Sequence, residues 1–450
     1  MKNFLKNYVI NPGVFRGDIP RIIAQDQQAA VNSMVHGLFR IYSNLSEESK
    51  KKMLEIYADK ATIRVKKIGK EMKKKLGYVP PAFITITPTN QCNLNCKGCY
   101  YGGFKKDNKI EGLTYEQLDD ILNQCKELGM TFINWSGGED FLIPWFLDLL
   151  EKHSDLYHLV FTNGTLINEK ISERLAKMGN VSLSISIEGF EKRTDYRRGK
   201  GTFKKIIKAM DLLKKKGVVF GNSITLMSGN AYNIDEVLSD EFIDMLIEKG
   251  SIFAFYFEYM PFGKDQDFSL MPNPEERHFK IYKRVREIRK EKEFFVIEFW
   301  TDGGLIVNWK NKKPDYSGCM AVGRVYMHIN SKGDIEACVF NPFSVGNIKE
   351  KTIKEILSSD FFKDSRNFQL GCNPYAPCLI RDNLDNYEKI LKKDKVYSAR
   401  EEIHVLDDKK LNKSLKEYAK KNRKIANFIM KNILKDRDPW ENSKDFLDKN

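Results

Sequence analysis

The feature of this sequence that most constrains its fold is a repeated alternation of short apolar runs with amphipathic, helix-length segments. Six runs of strand length begin at Phe83, and they span residues 83–87, 132–136, 158–162, 181–187, 218–226 and 252–259. Such alternation is typical of parallel strands joined by crossover helices. The sequence therefore predicts an α/β fold built on a partial (β/α)6 TIM-like barrel, with ligand sites at the carboxyl ends of the strands.

Lys-rich helical segments flank this barrel on both sides. Apolar residues recur at steps of three or four in each flank, at Leu54, Tyr57, Ala61, Val65, Ile68 and Met72 before the barrel and at Leu411, Leu415, Tyr418, Ile425, Ile429 and Ile433 after it. This spacing predicts amphipathic helices. We expect four parts: a basic helical N-terminal region (1–80), the barrel (81–300), a small Cys-rich domain (301–383) and a basic helical C-terminal extension (384–450).

Three cysteines follow the first predicted strand with the spacing C-x3-C-x2-C, and we call Cys92, Cys96 and Cys99 the three-cysteine loop. Three thiolates can hold three corners of an iron-sulfur cubane, which normally takes four, and so leave one iron open to a small molecule. Zinc is the alternative, although structural zinc usually takes paired C-x2-C units or Cys with His. The spacing favours a cluster with a vacant corner.

The three-cysteine loop, with Tyr100 directly after its last cysteine, resembles the defining motif of the radical SAM superfamily. The resemblance covers about residues 83–259. It implies that the open iron binds S-adenosylmethionine (SAM) and that one electron cleaves SAM to a 5'-deoxyadenosyl radical, which takes hydrogen from a substrate carbon. An oxygen-sensitive oxidoreductase of this kind needs a reducing electron donor such as ferredoxin or flavodoxin.

Further positions match where this family contacts SAM. Gly137, Gly138 and Glu139 look like the family's GGE motif, in which glycines allow close backbone approach and Glu139 accepts from an ammonium group. Asp140 stands where many relatives have proline. Arg198 is a better match than Arg197 for the cofactor carboxylate. The resemblance predicts these cofactor-binding residues: Tyr100, Gly137, Gly138, Glu139, Asn163, Ser184, Ser186 and Arg198.

Four later cysteines, Cys319, Cys338, Cys372 and Cys378, form what we call the second cysteine group. The C-x13-G-x4-C spacing through Gly333 resembles the SPASM or twitch extension of radical SAM enzymes, which implies one auxiliary 4Fe-4S cluster beside the SAM-binding one. A four-thiolate zinc site and buried unligated thiols are the alternatives. The remaining cysteine, Cys125, lies in an apolar helical stripe, and we expect it to pack in the core.

The formal net charge of +14 indicates an anionic partner. Because the sequence shows neither a signal peptide nor a spanning segment, we expect a cytoplasmic protein, either free or attached to a membrane surface. Basic amphipathic flanks suit an anionic membrane surface, and a membrane lipid is then the main substrate hypothesis. The alternatives are a peptide- or protein-modifying maturase and a non-catalytic, metal-stapled binding protein.

Nucleic acid is not an expected partner, because the Lys-rich faces lack interleaved aromatic residues. The sequence does not identify the catalytic acid or base. Tyr256, Glu258 and Tyr259, at the end of the sixth predicted strand, are the candidates.

Overall fold

The computed structural model describes residues 20–55, 65–101, 112–262, 266–300, 309–310, 313–314, 318–393, 395–400, 405–441, 443 and 446. Seven parallel strands form its centre: β1 (Phe83–Ile86), β2 (Phe132–Trp135), β3 (Tyr157–Thr162), β4 (Val181–Ser186), β5 (Phe220–Leu226), β6 (Phe253–Glu258) and β7 (Phe295–Glu298). The first six agree with the predicted runs to within two residues. The seventh strand, β7, was not predicted.

Helices precede, connect and follow these strands. They are α1 (Arg21–Tyr42), α2 (Glu47–Glu55), α3 (Val65–Leu76), α4 (Tyr115–Glu127), α5 (Phe146–Lys152), α6 (Glu169–Met178), α7 (Glu191–Arg198), α8 (Thr202–Lys216), α9 (Ile234–Val237), α10 (Asp240–Glu248), α11 (Lys283–Glu291), α12 (Ile353–Leu357), α13 (Asp360–Gln369), α14 (Leu384–Leu391) and α15 (Lys409–Ile433). A π-helical segment, Glu276–Tyr282, leads into α11. Helix α4 begins with a capping box between Thr114 and Gln117, and Cys125 is buried on its inner face.

The Cys-rich segment joins the barrel through the edge of β1. Its strands are β8 (Trp309–Lys310), β9 (Lys313–Pro314), β10 (His328–Ile329), β11 (Asp334–Cys338) and β12 (Asn341–Asn347), and β13 (Tyr397–Ser398) comes from the C-terminal extension. Strand β10 pairs in parallel with β1, with Thr85 opposite His328, and β11, β12 and β13 then add in antiparallel fashion. The result is one 11-stranded sheet ordered β13-β12-β11-β10-β1-β2-β3-β4-β5-β6-β7, with β8 and β9 paired separately.

The N-terminal flank docks on the barrel through α1, a helix that the sequence pattern did not predict. Asp26 of α1 accepts a hydrogen bond from Arg286 Nε of α11 at 2.7 Å, and both side chains are buried. The predicted helix over residues 46–76 appears as α2 and α3, with residues 56–64 outside the described residues. Most of its apolar stripe also lies outside the described side chains, and only Met72 is described, as half-buried.

The C-terminal flank is helix α15, and its predicted stripe is confirmed as a buried face from Leu411 to Ile433. Its second half, from Ile425 to Ile433, lies in one buried cluster with Tyr375 and Ala376, in the loop between Cys372 and Cys378, and with Ile22 and Ile23 of α1. In its first half, Leu411 and Leu415 belong to the main core. The rest of the protein therefore covers the apolar side of the helix. In the part of the chain that the structure describes, no helix is both long and apolar enough to cross a bilayer.

Candidate active site

A cleft opens at the carboxyl ends of β1 to β6, and the three-cysteine loop forms part of its wall. Its volume is about 1470 Å³ including the space at its open mouth. Among the predicted site residues, these line the cleft: Cys92, Cys96, Cys99, Tyr100, Gly137, Gly138, Asn163, Ser186 and Arg198. Residues from segments more than 100 positions apart thus meet around one space, which is the arrangement expected for a barrel of parallel strands.

Close backbone packing holds the GGE turn against the residues that lead into the three-cysteine loop. The Gly138 N–H donates to Thr89 O at 2.9 Å, and the Glu139 N–H donates to Gln91 O at 2.8 Å. A Cβ atom on Gly138 would lie 1.8 Å from Gln91 O, so any side chain there would push the loop away. The glycine is required by this approach of two backbone segments.

The sulfur of Cys92 sits in an environment suited to a thiolate ligand. The Leu94 N–H donates to Cys92 Sγ at 3.4 Å, and Asn163 Nδ2 lies 3.7 Å from the same sulfur. Burial raises the pKa of the Cys92 thiol to about 12. Because bound metal favours the deprotonated form, a cluster would reverse this effect and release the proton.

The Glu139 carboxylate is buried next to the residues that line the cleft. It does not line the cleft, and its carboxylate accepts hydrogen bonds from the Thr162 hydroxyl at 2.7 Å and the Asn163 N–H at 2.8 Å. Burial raises the pKa of Glu139 to about 7. In this arrangement the side chain ties the GGE turn to the end of β3, so its contact with the cleft runs through Asn163.

Ser184 also lies outside the cleft, whereas Ser186 lines it. Both are on β4, and residues two apart on a strand point to the same face. Ser184 is therefore one pleat deeper in the barrel than Ser186. The sequence motif did not separate the two, because alternation identifies the face of a strand but not the depth of the cleft.

Two arginines reach the cleft, not one. Arg198 donates to Glu188 Oε1 from Nε at 2.9 Å and from Nη2 at 2.5 Å, and Arg197 makes a short hydrogen bond to the same oxygen. Glu188 Oε2 accepts from the Thr225 N–H at 3.0 Å. This shared carboxylate, fixed by β5, holds both guanidinium groups at the rim of the cleft.

Sequence reasoning also missed residues that line the cleft. Tyr101 follows the predicted Tyr100, and its hydroxyl lies 3.1 Å from Ser136 Oγ and 3.2 Å from Thr87 Oγ1. Of the three residues named as candidates for an acid or base, Glu258 and Tyr259 also line the cleft, at the end of β6 and directly after it, whereas Tyr256 does not.

Three members of the second cysteine group, Cys319, Cys338 and Cys378, line a separate cavity, and the fourth, Cys372, is buried but does not line it. Backbone N–H groups donate to these sulfurs, from Ala321 to Cys319 at 3.5 Å, from Phe340 to Cys338 at 3.4 Å and from Arg381 to Cys378 at 3.4 Å. Burial and neighbouring thiols raise the pKa values of Cys319 and Cys372 to about 12. The all-sulfur donor set with N–H groups on the sulfurs fits an iron-sulfur cluster.

The two alternatives to a cluster at the second cysteine group, a zinc site and free thiols, involve the same four cysteines. Within the described ranges, no set of three or more His, Cys, Asp and Glu side chains is close enough together to hold a single metal ion.

Three aromatic side chains stand between the cleft and the second cavity. Phe299, Tyr326 and Phe340 line both spaces. Tyr326 Oη lies 2.7 Å from Cys338 Sγ, and the ring of Phe340 contacts Tyr100 edge to face. The two candidate cluster sites are thus neighbours across one aromatic layer.

Comparison with known proteins agrees with this geometry. The model of the radical SAM superfamily matches residues 86–240, and the model of the SPASM iron-sulfur cluster-binding domain matches residues 319–380. Residues 86–240 are therefore a radical SAM domain, and residues 319–380 are a SPASM domain. The chain is an enzyme whose cofactors are SAM and 4Fe-4S clusters.

Individual relatives resemble the chain over most of this region. The sporulation killing factor maturation protein SkfB of Bacillus subtilis is 28% identical over 297 residues, which are 65% of this chain and 67% of that protein. The mycofactocin maturase MftC of Mycolicibacterium smegmatis is 26% identical over 285 residues, 60% of this chain and 68% of that one. The structure of SuiB from Streptococcus suis bound to SAM has a TM-score of 0.54 at 18% identity, covering 69% of this chain and 75% of that one, which supports the fold.

Proposed function

We propose that this chain modifies a peptide or protein substrate by removing a hydrogen atom from one of its carbons in the cleft. The observation that carries the proposal is its similarity to SkfB and MftC, two enzymes named for maturation.

The proposed roles of the site residues follow from their positions. The three-cysteine loop holds the SAM-binding cluster, and the second cysteine group holds the auxiliary cluster. SAM lies along these cleft residues: Tyr100, Gly137, Gly138, Asn163, Ser186 and Arg198. When bound, the cluster and SAM supply the 5'-deoxyadenosyl radical. We propose that these roles belong to two functional parts, residues 81–300 and residues 301–383, and that residues 1–80 and 384–450 are the flanks.

The chain's own residues orient the cofactor and shield it from water. Glu188 fixes Arg198 so that its planar guanidinium can face a carboxylate, which is the group such a fork binds best. Glu139 and Ser184, which lie behind the cleft wall, are proposed to support Asn163 and Ser186. Tyr100 and Phe340 form an apolar wall on the side of the second cysteine group.

A membrane lipid has less support as the substrate. The apolar stripe of α15 is buried against the rest of the protein, so the described part of this flank offers a bilayer charge but no apolar face for insertion. Flotation with anionic liposomes tests this point, and we expect only weak binding that is abolished by salt. Retention on liposomes at high salt would restore the lipid hypothesis.

For the electron donor, we propose an acidic carrier such as a ferredoxin or flavodoxin that docks on the outer face of α15. The helix contains one acidic residue, Glu417, among many basic ones, and Lys413, Lys420 and Lys424 are exposed. The second half of its inner face lies in one buried cluster with the loop between Cys372 and Cys378. A carrier bound there would lie one helix away from the second cysteine group.

Charge reversal tests this docking site. We expect Lys413→Glu, Lys420→Glu and Lys424→Glu together to slow reduction by flavodoxin at low salt and to leave reduction by dithionite unchanged. The matched control reverses three exposed lysines of α8: Lys205, Lys208 and Lys215. Equal slowing in the two variants would show that net charge, and not this face, governs the encounter.

The substrate class is tested with anaerobically reconstituted enzyme. We expect a pool of peptides to stimulate the formation of 5'-deoxyadenosine after reduction, and deuterium from the correct labelled peptide to appear in that product. Pools of phospholipid and of porphyrin serve as controls. Stimulation by either control pool and not by peptides would overturn the proposed substrate class.

A further inference from the structure

Tyr326 is held in a fixed orientation where the Cys-rich segment joins the barrel. The backbone beside it pairs with β1, since the Phe83 N–H donates to Val325 O at 3.1 Å. The Tyr326 ring stacks on the ring of Phe83, with the ring centroids 5.2 Å apart and the planes at 5°, and it lies edge to face with Phe299. These contacts leave the side chain only 2% exposed, so they fix the position of its hydroxyl.

The hydroxyl of Tyr326 lies against a sulfur of the second cysteine group. The distance from Tyr326 Oη to Cys338 Sγ is 2.7 Å, and either atom can donate while Cys338 is a thiol. A cysteine that binds iron is a thiolate and has no proton to donate. With a cluster bound, the phenol is therefore the donor. It joins the Phe340 N–H, which donates to the same sulfur at 3.4 Å.

A hydrogen bond to a ligand sulfur changes the balance between the two redox states of an iron-sulfur cluster. The reduced cluster carries one more negative charge than the oxidised cluster, so a donor at the sulfur stabilises the reduced state more. Because the Tyr326 side chain is buried, water does not compete with its hydroxyl for this sulfur, and the low local dielectric strengthens the bond. The effect on the reduction potential is therefore upward.

We infer that Tyr326 raises the reduction potential of the auxiliary cluster by donating its hydroxyl hydrogen to Cys338 Sγ. This inference rests on the proposed role of the second cysteine group as the site of that cluster. Tyr326 is a positioning residue, because it acts through the cysteine. Its ring also lines the cleft, so one side chain forms part of the cleft wall and sets how readily the auxiliary cluster takes up an electron.

The test compares Tyr326→Phe with Tyr387→Phe in the full-length chain. Tyr387 is also buried and lies near Cys338, but its hydroxyl pairs with Ser365 Oγ at 2.8 Å and not with a sulfur. Both substitutions remove one hydroxyl and keep the ring. We expect both variants to keep the iron content and the visible spectrum of the parent protein, which establishes that folding and cluster assembly are intact.

The auxiliary cluster is measured alone in a background with alanine at all three positions of the three-cysteine loop. A redox titration followed by electron paramagnetic resonance then gives its potential. We expect Tyr326→Phe to lower the ratio of reduced to oxidised cluster about tenfold at a fixed potential, because one charge-assisted hydrogen bond is lost. This change corresponds to about 59 mV for one electron. An unchanged potential in Tyr326→Phe, or an equal shift in Tyr387→Phe, would overturn the inference.

A second measurement uses the holoenzyme and so does not depend on the alanine background. Both clusters are titrated together, and the resonance signal that changes when SAM is added is assigned to the SAM-binding cluster. The other signal should titrate at the lower potential in Tyr326→Phe only. A folded alanine background that binds no iron would refute the proposed cluster site, and the inference with it. About four irons per chain with an unshifted potential would refute the role of Tyr326 alone.

Discussion

Replacing Gly138 with alanine tests the contact on which the cleft geometry depends. The new methyl group would lie 1.8 Å from Gln91 O and 2.4 Å from Gln91 C, and both are backbone atoms that cannot rotate away. Either the GGE turn or the residues before Cys92 must move. The hydrogen bonds from Gly138 N–H to Thr89 O and from Glu139 N–H to Gln91 O would be broken by that movement.

The magnitude follows from these contacts. Each lost backbone hydrogen bond costs about 1 kcal/mol net, and overpacking costs about 1–3 kcal/mol, so the native arrangement should lose about 3–5 kcal/mol. At about 1.4 kcal/mol per tenfold change, the SAM affinity should fall on the order of 10²- to 10³-fold. Because the turn packs on the residues before Cys92, the iron content should fall as well.

The assay is isothermal titration of SAM into anaerobically reconstituted protein, together with iron analysis. The matched control is Gly371→Ala, one residue before Cys372, where the nearest atom to an added Cβ is Phe368 O at 3.7 Å. We expect the control to keep its iron and SAM affinity. A Gly138→Ala protein that binds SAM within a few-fold of the control would refute the argument that two backbone segments meet here.

Three further predictions concern the clusters and the stability of the fold. Alanine at all three positions of the three-cysteine loop should lower iron by about four atoms per chain, and retention of full iron would contradict the assignment. Asp26→Asn should reduce the free energy of unfolding by about 2 kcal/mol, because Arg286 then keeps only Asp438, at 3.3 Å, as its counter-charge; denaturant titration measures this, with iron content unchanged. Burial lowers the pKa of His158, which accepts from Trp135 Nε1, to about 3. Between pH 6.5 and 3 the unfolded chain therefore binds a proton at this histidine that the folded chain does not bind. The free energy of unfolding should fall as the pH drops through this range. His158→Gln should make this pH dependence shallower.

The parts of the fold that could be predicted are those encoded locally. Each of the first six strands is an apolar run of fewer than ten residues, and the three-cysteine loop is a short motif directly after β1. The buried face of α15 from Leu411 to Ile433 could also be predicted, since residues at steps of three and four lie on one side of a helix. Each of these features depends on neighbours in sequence and on no distant partner.

The parts that could not be predicted depend on distant pairings. Glu258 and Arg381 are 123 residues apart, and no local pattern indicates that their side chains meet. The orientation of Glu139 away from the cleft depends on Thr162 and Asn163, which β3 supplies. The motif placed Glu139 in the correct turn, but the direction in which its carboxylate points depends on how the turn packs against β3.

The relative position of the two cysteine groups is set by one strand. The carboxyl end of β1 leads into the three-cysteine loop, while its edge pairs with β10, and β10 in turn pairs with β11, which ends at Cys338. Since neighbouring strands lie about 4.8 Å apart, Cys338 is held two strands from the start of the three-cysteine loop at a separation that side-chain motion cannot change. The aromatic layer of Phe299, Tyr326 and Phe340 fills that gap. The separation between the proposed site of the SAM-binding cluster and that of the auxiliary cluster is therefore fixed by β-sheet hydrogen bonds.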